Sequence, residues 1–202
     1  MKVANLVCLM AILFLSACSS NNTPKTQYYL LNSPTIMTSV VTENGINSNK
    51  DSTEIVSVKL STLPEYLSQP NLVMHLSEHQ LHYSNFHMWA EPLDQGIAKA
   101  LAEELNNQHR TFTFSVLREI DANENSNIII NIDAFQATHQ SQILLKGSYQ
   151  INNDTLFKHA ETLTHFDIRV DLDQDGYAHS VAKMRASIAN LAKNITNKLS
   201  VK

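Results

Sequence analysis

Apolar positions change their spacing several times along this 202-residue chain, and each change marks an element. Residues 3–15 form one apolar run with Asn5 as its only polar interruption. Beyond it, Tyr28, Tyr29, Leu30 and Leu31 mark a first strand over residues 27–31. Val56, Val58 and Leu60 alternate with Ser57 and Lys59, as a half-buried strand requires. Leu72, Met74 and Leu76 repeat that pattern, and residues 80–83 pair back on them as a short hairpin arm. Further alternating sets are Phe112, Phe114 and Val116; Ile128, Ile130, Ile132 and Ala134; Ile143, Leu145, Gly147, Tyr149 and Ile151; and Phe166, Ile168 and Val170. The last three sets are joined by short polar links at 138–141 and 152–154, so an antiparallel meander is expected there.

Two stretches change to helical spacing. Pro92 suits a first helical turn, and Leu93, Ile97, Leu101 and Leu105, flanked by Ala98 and Ala102, give one apolar face to about Gln108. Val181, Met184, Ile188, Leu191, Ile195 and Leu199 give a second helix over 177–199. The expected class is α+β: a mostly antiparallel sheet of six to seven strands with two long amphipathic helices packed on one face. Residues 32–53 are rich in Ser, Thr and Asn; a loop of that length is uncommon in a compact domain, and a short edge piece at 36–41 would relieve it.

The opening run ends in Leu15-Ser16-Ala17-Cys18 behind the single positive charge of Lys2, a pattern that resembles a bacterial lipoprotein signal. At 13 residues the run is shorter than the roughly 20 that span a bilayer. The alternative is a short uncleaved anchor with a chance cysteine. Cleavage before Cys18 gives three parts: a signal peptide over 1–17, a lipidated polar tether over 18–26 and a domain over 27–202. A diacylglycerol on the sulfur and an acyl chain on the amine make an anchor that does not dissociate, because each buried methylene contributes about 0.8 kcal/mol. Ser19 after the cysteine fits the periplasmic leaflet of the outer membrane in enteric-type lipoproteins, where Asp would favour retention in the inner one.

Processing leaves 185 of the 202 residues, enough for one domain with a sizeable core. Fifteen basic against nineteen acidic residues leave no basic excess for nucleic acid. Of two cysteines, Cys8 lies in the signal and Cys18 carries the lipid, so the core holds the fold without a disulfide.

Catalytic chemistry finds little footing. There is no Gly-x-Ser-x-Gly elbow, four glycines cannot build phosphate loops, and the mature thiol is acylated, so no catalytic residue is assigned. No cofactor beyond the covalent lipid is expected. His75, His79 and His82, with His87 close by, suggest a metal; a strand-turn-strand keeps them from sharing a helical face, and exposed hairpin histidines are the favoured reading. Residues 171–176, Asp-Leu-Asp-Gln-Asp-Gly, look like half of an EF-hand loop, but Ala182 stands where the bidentate acid is needed. The acids instead end a strand, Gly176 turns the chain, and negative charge meets the positive end of the last helix. Trp89, the lone tryptophan, either caps the core at the helix entry or forms a contact surface.

Five features in order carry a family resemblance: the lipobox; Tyr28-Tyr29-Leu30-Leu31; Leu63-Pro64-Glu65-Tyr66-Leu67; Trp89-Ala90-Glu91-Pro92-Leu93; and Asp175-Gly176-Tyr177. Together they resemble the PqiC group of ABC-type transport auxiliary lipoproteins. The resemblance implies an outer-membrane lipoprotein that docks a periplasm-spanning MCE-domain protein like PqiB, with a PqiA-like inner-membrane protein in the same lipid-transport system. It also implies a homo-oligomer. Partner contact or structural roles then fall on Tyr28, Tyr29, Tyr66, Trp89, Glu91, Pro92 and Tyr177, and lipid attachment on Cys18. Two other classes compete. An activator of a cell-wall synthase would want a long tether, where residues 19–26 are short; a stand-alone lipid or metal carrier would need an enclosed pocket or a full ligand set.

Overall fold

A computed structural model describes residues 24–32, 54–109, 111–116, 126–153 and 163–200. The lipobox with Cys18, the edge piece considered at 36–41 and most of the 32–53 insert lie outside the described residues. Among the described residues eight strands form one sheet: β1 (Gln27–Tyr29), β2 (Glu54–Thr62), β3 (Asn71–Ser77), β4 (Gln80–Trp89), β5 (Phe112–Ser115), β6 (Ser126–Thr138), β7 (Gln142–Asn153) and β8 (Thr164–Asp171). Helix α1 (Leu93–Gln108) follows β4, and α2 (Tyr177–Ser200) closes the order. The α+β class expected from the periodicity is the class observed, with one strand more than the six to seven anticipated.

The longest strand, β6, organises the sheet. One of its edges pairs antiparallel with β7 along its whole length, and β8 adds antiparallel to β7, which is the expected meander. Its other edge is shared: residues 127–131 pair parallel with β2, and Ala137 and Thr138 pair parallel with Met74 and His75 of β3. β2 and β3 therefore lie end to end along one strand. Between them Pro64 and Pro70 bracket a single 3-10 turn at Glu65–Leu67 that leaves the sheet and returns. β5 flanks β2 in parallel, while β4 and then β1 extend the sheet beyond β3, giving the order β1-β4-β3-β6-β2-β5.

A bulge at Asp133 changes which side chains of β6 face the core. Ile132 pairs with Gly147 and Ala134 with Lys146, so Asp133 has no opposite residue and the alternation slips by one. Ile128, Ile130 and Ile132 are core residues before it, Phe135 and Ala137 after it. The partner β7 needs no such slip, and Ile143, Leu145 and Tyr149 stay buried throughout. Gln136 serves the bulge from the other face: its buried Oε1 accepts the Phe135 amide at 2.8 Å and the Tyr66 hydroxyl at 3.2 Å.

Both helices cover the face that carries these apolar residues. On α2 the stripe Val181, Met184, Ile188, Leu191 and Ile195 is buried, each side chain contributing about 2 kcal/mol by area. Leu93, Ile97, Leu101 and Leu105 do the same for α1. Arg185 ties the helices together, donating to Glu104 at 2.8 Å and to the Ala100 carbonyl at 3.3 Å. Gln108 adds a bond to the Ala189 carbonyl at 3.2 Å.

Gly147 is the glycine this arrangement cannot spare. A Cβ there would stand 2.0 Å from the Asn131 carbonyl oxygen and 2.9 Å from the Phe166 ring, and the first obstacle is backbone on the strand that bulges. Gly147→Ala is therefore expected to lower unfolding free energy by about 3 kcal/mol, the upper range for overpacking, read from urea denaturation midpoints. A shift within error of wild type would contradict the close approach.

Candidate functional site

Strand β4 does not stop at Tyr83 as the apolar pattern suggests, but runs on to Trp89 through a wide irregularity. Asn71 of β3 pairs with Met88 and Val73 pairs with Tyr83, so residues 84–87 swell out of register. The swelling is held from inside. Buried Ser84 accepts the His87 amide on its Oγ at 3.1 Å, and its carbonyl accepts Asn71 Nδ2 at 2.8 Å. The consequence is to lift His87 away from the hairpin histidines and set it beneath β1 and α2.

Around His87 three of the residues singled out from sequence converge, Tyr29, Trp89 and Tyr177. β1 lies parallel to the end of β4, with Tyr28 opposite Met88 and Tyr29 opposite Trp89. The Tyr29 hydroxyl donates to Gln27 Oε1 at 2.7 Å, which leaves its lone pair to accept from His87 Nδ1 at 2.8 Å. Tyr177, the first residue of α2, stacks on the other side of the imidazole at 3.7 Å between ring centroids and 16° between planes. Trp89 is buried beside this trio, lining an apolar recess with Leu67, Leu72, Phe135, Tyr177 and Met184. Burial, and then the neighbouring Tyr177, push the Tyr29 phenol above its ordinary pKa.

The remaining residues have separate tasks. Tyr28 points the other way from Tyr29 and is 66% exposed. Tyr66 reaches from the 3-10 turn to Gln136 at the bulge, while the adjacent Leu67 enters the core. Glu91 pairs with Lys99 at 2.5 Å, and Pro92 is the N-cap residue of α1, its carbonyl accepting the Gly96 amide at 3.1 Å. At the start of α2, Gly176 takes φ +109°, a conformation favoured by glycine, and sets the helix entry. Asp173 accepts from Lys183 at 3.0 Å, and that bond holds its carboxyl below the usual range. The half EF-hand pattern thus serves a turn and a charge pair at the first turns of α2. His179 Nε2 comes within 2.7 Å of the same Asp173 oxygen but off the hydrogen-bond direction.

The histidine cluster is divided by the pleat. His75 pairs with Leu81 and Met74 pairs with His82, so His75 and His82 occupy opposite faces of the hairpin. Among the described residues no three His, Cys, Asp or Glu side chains come together as a metal would require. The apolar recess under Trp89 encloses about 20 Å³, room for one water and not for an acyl chain. No described helix is long and apolar enough to cross a membrane. Sequence reading put His87 with the other histidines and so missed its role; Ser84 and Asn71, the residues that re-aim it, carry no periodic signal.

The family model for the ABC-type transport auxiliary lipoprotein component matches residues 31–196. The chain belongs to this family. Relatives known as intermembrane transport lipoprotein PqiC, from Escherichia coli K12 and Shigella flexneri, are each 23% identical over 193 residues, covering 94% of this chain and 94% of their own. The crystal structure of an uncharacterized protein shares the fold with a TM-score of 0.70 at 18% identity, over 87% of this chain and 99% of its own. A second, from Xanthomonas campestris, gives a TM-score of 0.55 at 11% identity, over 71% of this chain and 81% of its own. Just ahead of the matched residues, β1 is fixed to the body by the Tyr29–His87–Tyr177 lock.

Two outcomes check this geometry. Tyr29→Phe removes the hydroxyl that joins Gln27 and His87 and is expected to cost about 1 kcal/mol, with faster amide exchange confined to residues 27–31. Unchanged exchange in β1 would refute the lock. Burial also raises the Tyr66 phenol above 10.0, partly offset by its bond to Gln136. A folded pKa above the unfolded one gives a contribution complete below pH 10.0 and lost as pH rises through the folded value. Stability should therefore fall on the alkaline side, and Tyr66→Phe should flatten part of that fall; an identical alkaline limb in the variant would refute it.

Proposed function

We propose that this transport auxiliary lipoprotein is a non-catalytic subunit, lipidated on Cys18 and seated in the periplasmic leaflet of the outer membrane. There it docks an MCE-domain protein resembling PqiB, within a system that includes a PqiA-like inner-membrane protein and supports envelope integrity. The observation that carries this reading is the match to the PqiC intermembrane transport lipoproteins along 94% of both chains, on a chain that begins with a lipobox. The domain proper starts at residue 27, the acyl chains are the only prosthetic group, and several copies assemble around the partner.

The short tether supports docking over long-range reach. Nine residues from Cys18 to Gln27 extend at most about 30 Å, so the partner does the crossing of the periplasm. Lipid anchoring confines the domain near one surface and raises its effective concentration there.

Crosslinking and affinity purification of the full-length lipidated protein from gently solubilised membranes should recover an MCE-domain protein. Recovery of a cell-wall synthase with no MCE protein would replace this reading by the activator. Cys18→Ser should leave an unprocessed, unlipidated precursor absent from the outer-membrane fraction, and normal density fractionation of that variant would refute the anchor.

A further inference from the structure

Tyr28 and Leu30, which flank the inward-turned Tyr29, are 66% and 41% exposed. Phe86, on the swollen part of β4 that lies beside β1, is 40% exposed. Single exposed apolar residues are ordinary, but these three gather within a few register positions of the point where the chain enters the domain. We infer that this corner is a second membrane contact, seating the domain on the interfacial layer of the leaflet that holds its acyl anchor. The inference rests on Cys18 being the lipidated residue.

A bilayer is the occupant that the position of Cys18 supplies. Six residues, 19–24, separate Cys18 from Lys25, and β1 begins two residues later, so the corner stays within about 30 Å of the acyl chains. Lys25, the only charged side chain between Cys18 and Glu43, suits an anionic headgroup surface. Tyr28 has the amphipathic shape that settles at headgroup level, ring inward and hydroxyl wet, while Leu30 and Phe86 supply purely apolar area. The lock on Tyr29 keeps Tyr28 facing outward. With the anchor already in the bilayer, a contact too weak to bind vesicles alone is occupied because its local concentration is high. An acyl anchor lets a domain pivot; a second contact fixes which surface it presents to a docking partner.

The test uses lipidated full-length protein in phosphatidylethanolamine–phosphatidylglycerol vesicles. The mature chain's one cysteine is acylated, so Tyr28→Cys, Phe86→Cys and Asp167→Cys each offer a single thiol for a nitroxide, the last on β8 at the far end of the meander. Labels at 28 and 86 should show a several-fold higher ratio of oxygen to aqueous nickel-chelate collisions than the label at 167. In parallel, the unsubstituted protein with a photoactivatable phosphatidylethanolamine should form adducts on the peptides around Tyr28 and Phe86. Equal accessibility at all three sites, with no adducts there, in protein that floats with vesicles and carries acyl mass would overturn the second contact while leaving the anchor standing. Protein without acyl mass would remove the anchor reading and this inference with it.

Discussion

A strand has two hydrogen-bonding edges, and in this domain β6 uses both. One edge goes to β7 alone; the other is divided between β2 and β3, which approach it head to tail. Because the division falls near the bulge, the slip in side-chain alternation at Asp133 must be matched on both sides. The antiparallel side matches it with Gly147, whose missing Cβ admits the Asn131 carbonyl. The parallel side matches it with the 3-10 turn, where Leu67 fills the core and Tyr66 reaches Gln136 behind the bulge. Remove the bulge, and Phe135 and Ala137 turn away from the helices, and the floor of the recess under Trp89 goes with them.

That dependence explains where three short segments of this chain fall. Leu-Pro-Glu-Tyr-Leu at 63–67 bridges the two strands that share β6. Trp-Ala-Glu-Pro-Leu at 89–93 carries the chain from the core, past an ion pair to Lys99, into α1. Asp-Gly-Tyr at 175–177 turns the chain and delivers the ring that stacks on His87. Each motif sits at a junction between layers, where geometry is less forgiving than within a strand.

Junctions are also where reading the sequence succeeds or fails. Helix faces were legible because spacings of three and four survive intact in α1 and α2. Strand faces were legible in β7, where nothing interrupts the alternation, but Ala134 continued the set of Ile128, Ile130 and Ile132 only in sequence, since one unpaired residue precedes it. Alternation reports which face a side chain takes and not which strand lies alongside, so the parallel pairings of β6 with β2 and β3 had no signal. Tyr29, Trp89 and Tyr177 could be picked out as unusual aromatics, but their meeting at His87 depends on a swelling held by Ser84 and Asn71, two ordinary polar residues.

β1 has only three paired residues, yet with Cys18 as the anchor it is the sole covalent route from the membrane into the sheet. Tension between a leaflet and a docked partner passes through that strand before any other. If β1 holds, the leash from lipid to fold is nine residues. If it peels away, the next described point of attachment is buried Leu31, 13 residues from Cys18, and the next described strand begins at Glu54, 36 residues along with a contour of about 120 Å. With Cys18 as the anchor, one imidazole between two phenols sits where a pull on the lipid first reaches the fold, with Leu31 in the core directly behind it.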